Sequence, residues 1–570
     1  MTHIVDDADH FAEQALAGFC DVHGRLVRPV TGGVVRATAT PENKVALVIG
    51  GGSGHYPVFN GYVGPGLGDA AVAGDVFASP ATRLIANVAR KAHRGGGVVL
   101  CFGNYAGDVL NFGFAAERLR ADGIDTRVVP VTDDVVSAPR GQEARRRGVA
   151  GDVMVLKVAG AAAEAGLGLD EVERLARHAN DRTRSFGVAF GGCTLPGADG
   201  PLFTVPEGRM AIGLGIHGEP GIDEQPTASA AELGALLVRR LLEDAPDGAT
   251  GGRVAVLLNG LGGTKYEELF VLWTHVASAL RGAGLALVAP LVGEYVTSLD
   301  MEGCSLTICW LDEELERFWL APCDSPALRI GTVSEAGPAA PLPPDDAEAG
   351  NRWTEAPAPS REAGAGIARA LDALATALRG AEEELGRIDA LAGDGDHGQG
   401  MTRGAAAAAA GAREAAGAGA GAASVLAAAA DSWADRAGGT SGAIWGLGLR
   451  SAAGALSDER APDAAAVAAA ARAAIENVMR LGGAKPGDKT LVDAFEPFAR
   501  VLSGALDAGT PLSEAWSRAS EAAHAAAEGT KDLLPQLGRA RNHAERSRGH
   551  RDAGAVSFAL AARTVGEFVR

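Results

Sequence analysis

Three carboxylates fall within eight positions in Asp389-Ala-Leu-Ala-Gly393-Asp394-Gly395-Asp396-His397-Gly398. Acidic groups held this close repel one another, so a cation must accompany them. Hard oxygen ligands on a glycine-rich turn suit Mg²⁺, which keeps several waters and shares its shell with a substrate's phosphates. A calcium EF-hand is disfavoured, because the glycine and the terminal glutamate of that loop are out of place. On its own an Asp-Gly-Asp turn is better explained as a solvated acidic surface. Its company along the chain changes that reading to a Mg-nucleotide site.

Four other glycine-rich stretches stand out in the first half, and three of them carry chemistry. Val48-Ile-Gly-Gly-Gly52-Ser53-Gly54-His55 leaves a strand through three consecutive glycines, a turn that bares backbone N–H groups to an anion or a hydroxyl-rich substrate. It lacks the Lys-Ser/Thr ending of a Walker loop and fits the Rossmann fingerprint poorly. A structural turn, with His55 capping the next segment, is the plain alternative. Gly103-Asn104-Tyr105-Ala-Gly107-Asp108 follows the next strand. Asp108 is either the cap of the following helix or a general base at a strand's C-terminal end, where open α/β sheets place ligands. Leu214-Gly-Ile-His217-Gly-Glu-Pro-Gly221 sets a histidine between glycines. A lone histidine is more often structural, but glycine neighbours leave this ring uncovered, and a neutral imidazole can attack a carbonyl carbon. Asn259-Gly-Leu-Gly-Gly-Thr264 is read as a tight connection only.

The second half continues the nucleotide theme. Gly438-Gly-Thr440-Ser441-Gly442 can wrap phosphates at a helix N-terminus. Gly482-Gly-Ala-Lys485-Pro-Gly-Asp488-Lys489-Thr490 is a turn-rich loop of mixed charge. A basic stretch runs from Gly538 and Arg539 to Arg551, Asp552 and Gly554. Arginines facing a carboxylate–Mg²⁺ cluster are what phosphoryl transfer requires, although in isolation such a run is more often a solvated surface.

These stretches need a scaffold. Over residues 1–333 short Val- and Leu-rich runs (Val45–Ile49, Val98–Phe102, Arg127–Val131, Val254–Leu258) alternate with helix-like segments, which predicts an α/β domain with largely buried sheets. A second α/β subdomain is expected from about Ala189. Residues 334–358 are rich in Pro, Ala and acids and read as a linker. From 359 to 570 alanine dominates and β-branched runs vanish. Helices are expected over 361–386, 404–435, 463–480, 510–528 and 554–569, an all-α domain whose small side chains require close packing.

The bulk numbers exclude several classes. With 570 residues, 47% hydrophobic and 22% charged, the chain reads as globular with two to four domains. A net charge of −19 argues against a general nucleic-acid binder. Six cysteines without a C-x-x-C pair form neither a disulfide framework nor a zinc site and fit a reducing compartment. The N-terminus lacks signal-peptide order, and no apolar run approaches the roughly 20 residues that span a bilayer. A cytoplasmic protein without membrane partners is expected.

Taken together and in this order, GGGSGH (50–55), GNYAGDVLNFG (103–113), GIHGEPG (215–221), DxxxxGDGDHG (389–398), GGTSG (438–442) and PGDKTLVDA (486–494) resemble the dihydroxyacetone kinase family in its fused, ATP-dependent form. The resemblance covers nearly the whole chain apart from the linker. It implies a ketose-binding α/β domain in which His217 forms a hemiaminal with the substrate carbonyl. Gly52, Ser53, Gly54 and Gly103 would line the ketose, and His55 and Asp108 would handle the proton of the attacked hydroxyl. It implies a barrel of antiparallel helices in which Asp389, Asp394 and Asp396 bind two Mg²⁺ ions. There His397, Gly398, Gln399, Gly400, Thr440, Ser441, Gly482, Leu491, Arg539, Asp552, Ala553 and Gly554 would surround ATP. It also implies a homodimer, with one subunit's nucleotide domain over the other's ketose domain.

The chain departs from the family pattern at four places. Tyr56 stands where Glu is frequent, and Gly103 where Lys is frequent. Arg541-Asn542-His543-Ala544 replaces the usual start of the C-terminal loop, and Ala553 replaces proline. Loss of a long cation at position 103 removes a donor and makes room, which points to a four-carbon ketose such as erythrulose, as in the family's erythrulose kinases. Two other functions compete with the ATP:ketose phosphotransferase. One is the family's cyclising FAD-AMP lyase side activity, which needs the aspartates but not His217. The other is a ketose-sensing regulator, which would keep His217 and lose the aspartates.

Overall fold

The computed structural model describes every residue except 1–2, 220, 250–251, 334–336, 341, 343–352, 392–394, 538–546 and 570. The chain divides into two compact units, one of residues 1–80 and 84–345, the other of residues 81–83 and 346–570.

The first unit holds two sheets. Helix α1 (Phe11–Val22) precedes β1 (Val27–Val30), β2 (Gly33–Arg36), β3 (Ala46–Ser53) and β4 (Ala70–Val76). Then come α2 (Thr82–Ala92), β5 (Val98–Gly103), α3 (Ala106–Ala121) and β6 (Thr126–Val131). These strands form one sheet in the order β1-β2-β4-β3-β5-β6. Strands β4, β3, β5 and β6 run parallel, and β1 and β2 add an antiparallel edge. Three of the four apolar runs seen in the sequence lie in this sheet, in β3, β5 and β6, and both its faces are covered. Leu47 and Ile49 enter one core cluster, and Ala46 and Val48 enter the other. Helix α4 (Asp152–Glu164) is buried around its whole circumference from Asp152 to Ala163, as a helix apolar on every side must be.

After α5 (Leu169–Asp181) the second sheet begins with β7 (Thr183–Ala189), earlier than Ala189 because the strand starts where α5 ends. It continues through β8 (Arg209–Ile212), β9 (Asp223–Pro226), α6 (Ala230–Glu243), β10 (Gly252–Gly260) and α7 (Tyr266–Gly282). Strands β11 (Leu285–Leu287), β12 (Leu291–Gly293) and β13 (Gly303–Leu311) complete it. The order is β11-β10-β13-β7-β8-β9, with β12 also on β10, and the central pairs are antiparallel. Helix α8 (Glu313–Trp319) and the hairpin β14 (Cys323–Asp324) and β15 (Arg329–Ile330) close the unit.

The second unit is helical: α9 (Ala358–Gly380), α10 (Glu382–Asp389), α11 (His397–Gly417), α12 (Ala422–Ala437), α13 (Gly439–Gly454), α14 (Ala464–Gly482), α15 (Val492–Asp507), α16 (Leu512–Gly529) and α17 (Ala553–Gly566). α9 packs on α11, and from there each helix packs on the next through α12, α13, α14, α15 and α16 to α17. α17 returns to α9, so the helices form a closed barrel. Small residues set the spacing. A Cβ on Gly446 would lie 2.7 Å from that of Ala434, and one on Gly404 2.7 Å from Trp433 Nε1. The span expected as one helix over 404–435 is two, because the chain reverses at Gly419 with φ +84°. The span 361–386 likewise breaks at Ala381. Helices α13 and α15 escape sequence reading. The first is dense in glycine and the second carries Pro497, and both lower intrinsic helix preference while packing restores it.

Candidate active site

In the first sheet β3 is flanked by β4 and β5, and the chain reverses direction of strand order there. Open α/β sheets bind ligands at the C-terminal strand ends beside such a point. The GGGSGH and GNYAGD stretches occupy adjoining ends of β3 and β5. Gly52 is required by crowding: a Cβ there would stand 2.7 Å from the backbone nitrogen of Ala78. Ser53 Oγ donates to the Gly74 carbonyl at 2.6 Å. Gly54, at φ +98°, turns the chain so that His55 enters the interior, where it is 2% exposed.

The His55 ring stacks on Phe77 at 4.8 Å, and its Nδ1 donates to the Thr297 carbonyl at 2.8 Å. Burial foremost, and then the neighbouring His217, hold its pKa down at about 3. His217 arrives on the loop between β8 and β9. Its Nε2 lies 3.0 Å from His55 Nε2, and its Nδ1 lies 3.2 Å from Glu219 Oε1. Its own backbone N–H donates to Glu219 Oε2 at 3.0 Å. Arg147 stands 3.7 Å from that oxygen and is paired with Asp134 at 2.7 Å. Gly215 makes this possible: a Cβ there would fall 2.1 Å from Glu219 Oε2 and 2.4 Å from Arg147 Nη1. Tyr105 meets the His217 ring edge-on at 4.6 Å.

Asp108 sits in the first turn of α3, buried, and burial pushes its carboxyl up to about 7 against a hydrogen bond from Ser79. Its Oδ1 has no hydrogen-bond partner among the described residues. The structure therefore brings His55 and His217 into contact, while Asp108 keeps an acceptor oxygen to spare. Gly103 ends β5, but the room beside it is not open. A Cβ would lie 3.2 Å from Tyr105 Cε2 and 3.4 Å from the Gly148 carbonyl, so the Tyr105 ring fills the space. Tyr56 is half exposed, its ring against Phe19. Sequence reading missed Glu219, Arg147, Phe77 and Tyr105 as parts of the site. Glu219 was in view, two positions past the histidine; Arg147 and Phe77 are joined to it only by folding.

In the second unit neighbouring barrel helices run antiparallel, so α11, α13, α15 and α17 all begin at one end. Helix N-termini carry unpaired N–H groups and positive dipole ends, which favour anions. Cross-links among these starts are direct. His397 Nδ1 lies 3.3 Å from Ser441 Oγ of α13, and its Nε2 lies 3.0 Å from Ser557 Oγ of α17. The Cβ position of Gly554 is 3.3 Å from Leu491 N, at the start of α15. Gly398, Gln399 and Gly400 form the first turn of α11, Thr440 and Ser441 that of α13, and Ala553 and Gly554 that of α17. Gly482 ends α14 at the same mouth. Asp552 caps α17 by accepting from Ala555 N at 2.7 Å, and burial pushes its carboxyl up to about 7. Lys489 donates to the carbonyl of Ser547 at 2.6 Å and so ties the loop before α17 to the one before α15.

Asp389 ends α10 and Asp396 precedes α11. Asp389 Oδ2 accepts from the N–H groups of Gly395 at 2.9 Å and His397 at 3.4 Å, and burial raises its carboxyl. Asp394 and Arg539 lie outside the described residues. Among the described residues no three His, Cys, Asp or Glu side chains gather as a metal cluster. The donors that are described, two carboxylates at the mouth of the helix N-termini, have the hard-oxygen chemistry that Mg²⁺ takes.

Residues 17–327 match the Dak1 domain family, and residues 391–567 match the DAK2 domain family. The chain is 54% identical to the D-erythrulose kinase of Mycolicibacterium smegmatis, over 100% of this chain and 99% of that one. It is also 54% identical to the L-erythrulose kinase of Pectobacterium atrosepticum, over 98% and 95%. Among solved structures it resembles the dihydroxyacetone kinase of C. freundii in complex with AMP-PNP and Mg²⁺, at 29% identity and a TM-score of 0.53, over 99% of both chains. No helix among the described residues is long and apolar enough to cross a membrane.

Proposed function

The chain belongs to the fused dihydroxyacetone kinase family and is a kinase, and on that premise we propose that it moves the γ-phosphoryl of ATP to a terminal hydroxyl of erythrulose, held as a hemiaminal on His217. The observation that carries the ketose reading is the setting of His217: one ring nitrogen is anchored on Glu219 and the other is presented to His55. An imidazole oriented in this way is a nucleophile for a ketone carbon. It selects for a free carbonyl and rejects glycerol, which has hydroxyls but nothing to attack. The 3.0 Å gap between the two Nε2 atoms cannot hold a carbon bonded to one of them, so the rings part when the ketose enters.

Asp108, with a free acceptor oxygen and a carboxyl poised near 7, takes the proton of the terminal hydroxyl as it attacks phosphorus. His55, neutral at any physiological pH, holds a substrate hydroxyl by its Nε2. In the helical unit the N-terminal turns of α11, α13, α15 and α17 receive the polyphosphate. Asp389 and Asp396, with Asp394, would hold two Mg²⁺ ions, which neutralise charge on the transferred phosphoryl group. The two erythrulose kinases given above span essentially the whole chain, which supports the four-carbon substrate. Neither the lyase nor the sensor function is favoured over the kinase, given the full-length match to kinases at 54% identity.

The test is kcat/KM for D-erythrulose, L-erythrulose and dihydroxyacetone with saturating Mg-ATP, in the parent and in His217→Ala. A preference for one erythrulose enantiomer, lost together with discrimination against glycerol in the variant, is expected. A strong preference for dihydroxyacetone overturns the substrate, and an unimpaired variant overturns the hemiaminal. We carry the reciprocal homodimer and the cytoplasmic location as part of the same reading. If sites are shared between subunits, mixing inactive His217→Ala and Asp389→Asn proteins restores turnover; a mixture that stays inactive refutes the sharing.

A further inference from the structure

Where the first sheet hands over to the second, a cleft of about 410 Å³ opens among residues that the reaction does not use. Its lining includes Arg140 and Glu143 from the segment between β6 and α4, Asn180, Asp181 and Arg182 around the end of α5, and Arg184 in β7. The guanidiniums here are incompletely answered. Arg184 and Arg146 are both buried and both bond the one carboxylate of Asp244, Arg146 through two nitrogens at 2.6 and 3.0 Å and Arg184 through Nε at 3.0 Å. Burial, and then the neighbouring Arg146 charge, lower the Arg184 pKa, while Asp244 and Glu143 oppose them. Arg182 is used least. Its Nη1 reaches the Asp247 carbonyl at 3.3 Å, and its Nε is shielded from water with no hydrogen-bond partner among the described residues, an unfavourable state for a donor. Arg140 is half exposed at the rim and pairs with the Asp247 carboxylate, which is almost wholly in water. The carbonyls ending α5 would repel an anion, but they are already covered. The Arg182 N–H takes those of His178 and Ala179, and Arg184 Nη1 donates to that of Asp181 at 3.0 Å.

We propose that this cleft is an effector site for the phosphate monoester of a short polyol, and that its occupancy changes the affinity of the ketose pocket. The planar fork of a guanidinium matches a phosphate with two parallel N–H donors. Arg182, with its idle Nε, and Arg140 at the rim supply such forks, and Arg184 adds its charge. Glu143, Asp181 and Asn180 explain the rest of the ligand. Carboxylates and an amide repel a bare dianion but accept and donate hydrogen bonds to the hydroxyls of a carbon chain carried on it. Inorganic phosphate shares the anionic chemistry and leaves these groups unanswered.

The segment that carries Arg140 and Glu143 also supports the ketose pocket. The carbonyls of Ala144 and Arg146 accept from Asn104 Nδ2 at 3.2 and 2.7 Å, and Asn104 belongs to the loop that leads into α3 and Asp108. Arg147, next along, pairs with Asp134 and stands 3.7 Å from Glu219, on which His217 is anchored. A ligand that draws Arg140 and Glu143 inward therefore shifts the carbonyls from which Asn104 hangs. Coupling of this kind is reciprocal, so erythrulose changes the effector's affinity by the same factor. The site itself stands without the ketose reading given above; the coupling rests on it.

Two measurements test this. The first needs no ketose: calorimetric titration of glycerol 3-phosphate, which has no carbonyl for His217, into full-length protein saturated with Mg²⁺ and AMP-PNP. One site per chain is expected, weakened at least tenfold in Arg182→Gln and in the rim variant Arg140→Gln, with turnover of both variants unchanged when no ester is present. No binding, or binding that both variants keep, overturns the site. Inorganic phosphate should bind at least tenfold more weakly than the ester; equal affinity overturns the polyol ester in favour of free phosphate. The second is the Kd of erythrulose with and without saturating glycerol 3-phosphate. A change of about fivefold or more is expected in the parent and none in Arg182→Gln. An unchanged Kd in the parent overturns the coupling, and a change that persists in Arg182→Gln marks competition inside the ketose pocket and overturns it too. If erythrulose does not bind at all, the ketose reading fails, and the first titration still decides the site.

Discussion

Replacing Asp108 with Asn separates the stability of this site from its chemistry. Burial lifts the Asp108 carboxyl from 3.8 to about 7. A shift of about three units is about 4 kcal/mol of preference for the protonated form. The sign follows from proton counts. Between pH 4 and 7 the folded state holds a proton that the unfolded chain has released, so stability falls as pH rises through this window. The full penalty applies above pH 7, where the buried side chain is ionised. Asp108→Asn removes the penalty without changing shape. The variant should be more stable than the parent by about 2–4 kcal/mol at pH 8 and no more stable near pH 4. The same change removes the acceptor of the hydroxyl proton and should lower kcat by about 10²–10⁴. In the parent, kcat should rise with pH around 7, since only about a tenth of the carboxyls are ionised one unit below the pKa. Denaturant titrations of both proteins at the two pH values, with a pH–rate profile, measure all of this. A profile flat from pH 6 to 8, or a variant no more stable at pH 8, would refute the assignment of Asp108 as a buried base.

Three further outcomes are expected. Lys157 is fully buried in α4 with its ammonium on the Phe318 carbonyl at 2.7 Å, and burial lowers its pKa from 10.5 to about 8. The unfolded chain binds more protons between pH 8 and 10.5, so stability climbs across that window and a penalty of about 3 kcal/mol is complete below it. Lys157→Met forfeits one hydrogen bond of about 1 kcal/mol and should gain about 2 kcal/mol at pH 7, the gain vanishing by pH 10.5 in paired denaturant titrations. Gly103→Ala must displace the Tyr105 ring by a few tenths of an ångström, which should raise KM for erythrulose severalfold while Mg-ATP binding stays constant; an unchanged KM removes position 103 from specificity. Gly398→Ala would put a Cβ 2.1 Å from the Glu382 carbonyl and force α11 from α10; nucleotide affinity measured by calorimetry should fall at least tenfold with ketose binding intact.

Much of this protein was legible in one dimension because its chemistry is punctuated by glycine. Where a Cβ on Gly52 would fall 2.7 Å from the Ala78 backbone nitrogen, no other residue fits, and such constraints leave a local mark in the sequence. Alternation of apolar runs with helical segments gave the α/β class for the same reason: a strand buried on both faces must be apolar at consecutive positions. Alanine-rich composition gave a helical second half, though not its reversals at Gly419 and Ala381 or the helices α13 and α15, whose glycines and proline oppose helix formation until packing overrides them.

What folding alone decided is which groups face each other. Local sequence placed a histidine between glycines at 217 and another at 55, but only the loop geometry brings their Nε2 atoms to 3.0 Å and sets Arg147 behind Glu219. The room expected at Gly103 proved to be occupied by Tyr105, two residues on, because the chain turns there into α3. The motifs at 397, 440, 491 and 553 meet at one mouth only because the helices they begin alternate in direction around a closed ring. Residue type is a local property, whereas the pairing of the two imidazoles and anion binding depend on distances between segments far apart in the chain, 162 positions for His55 and His217, and those distances are fixed by packing.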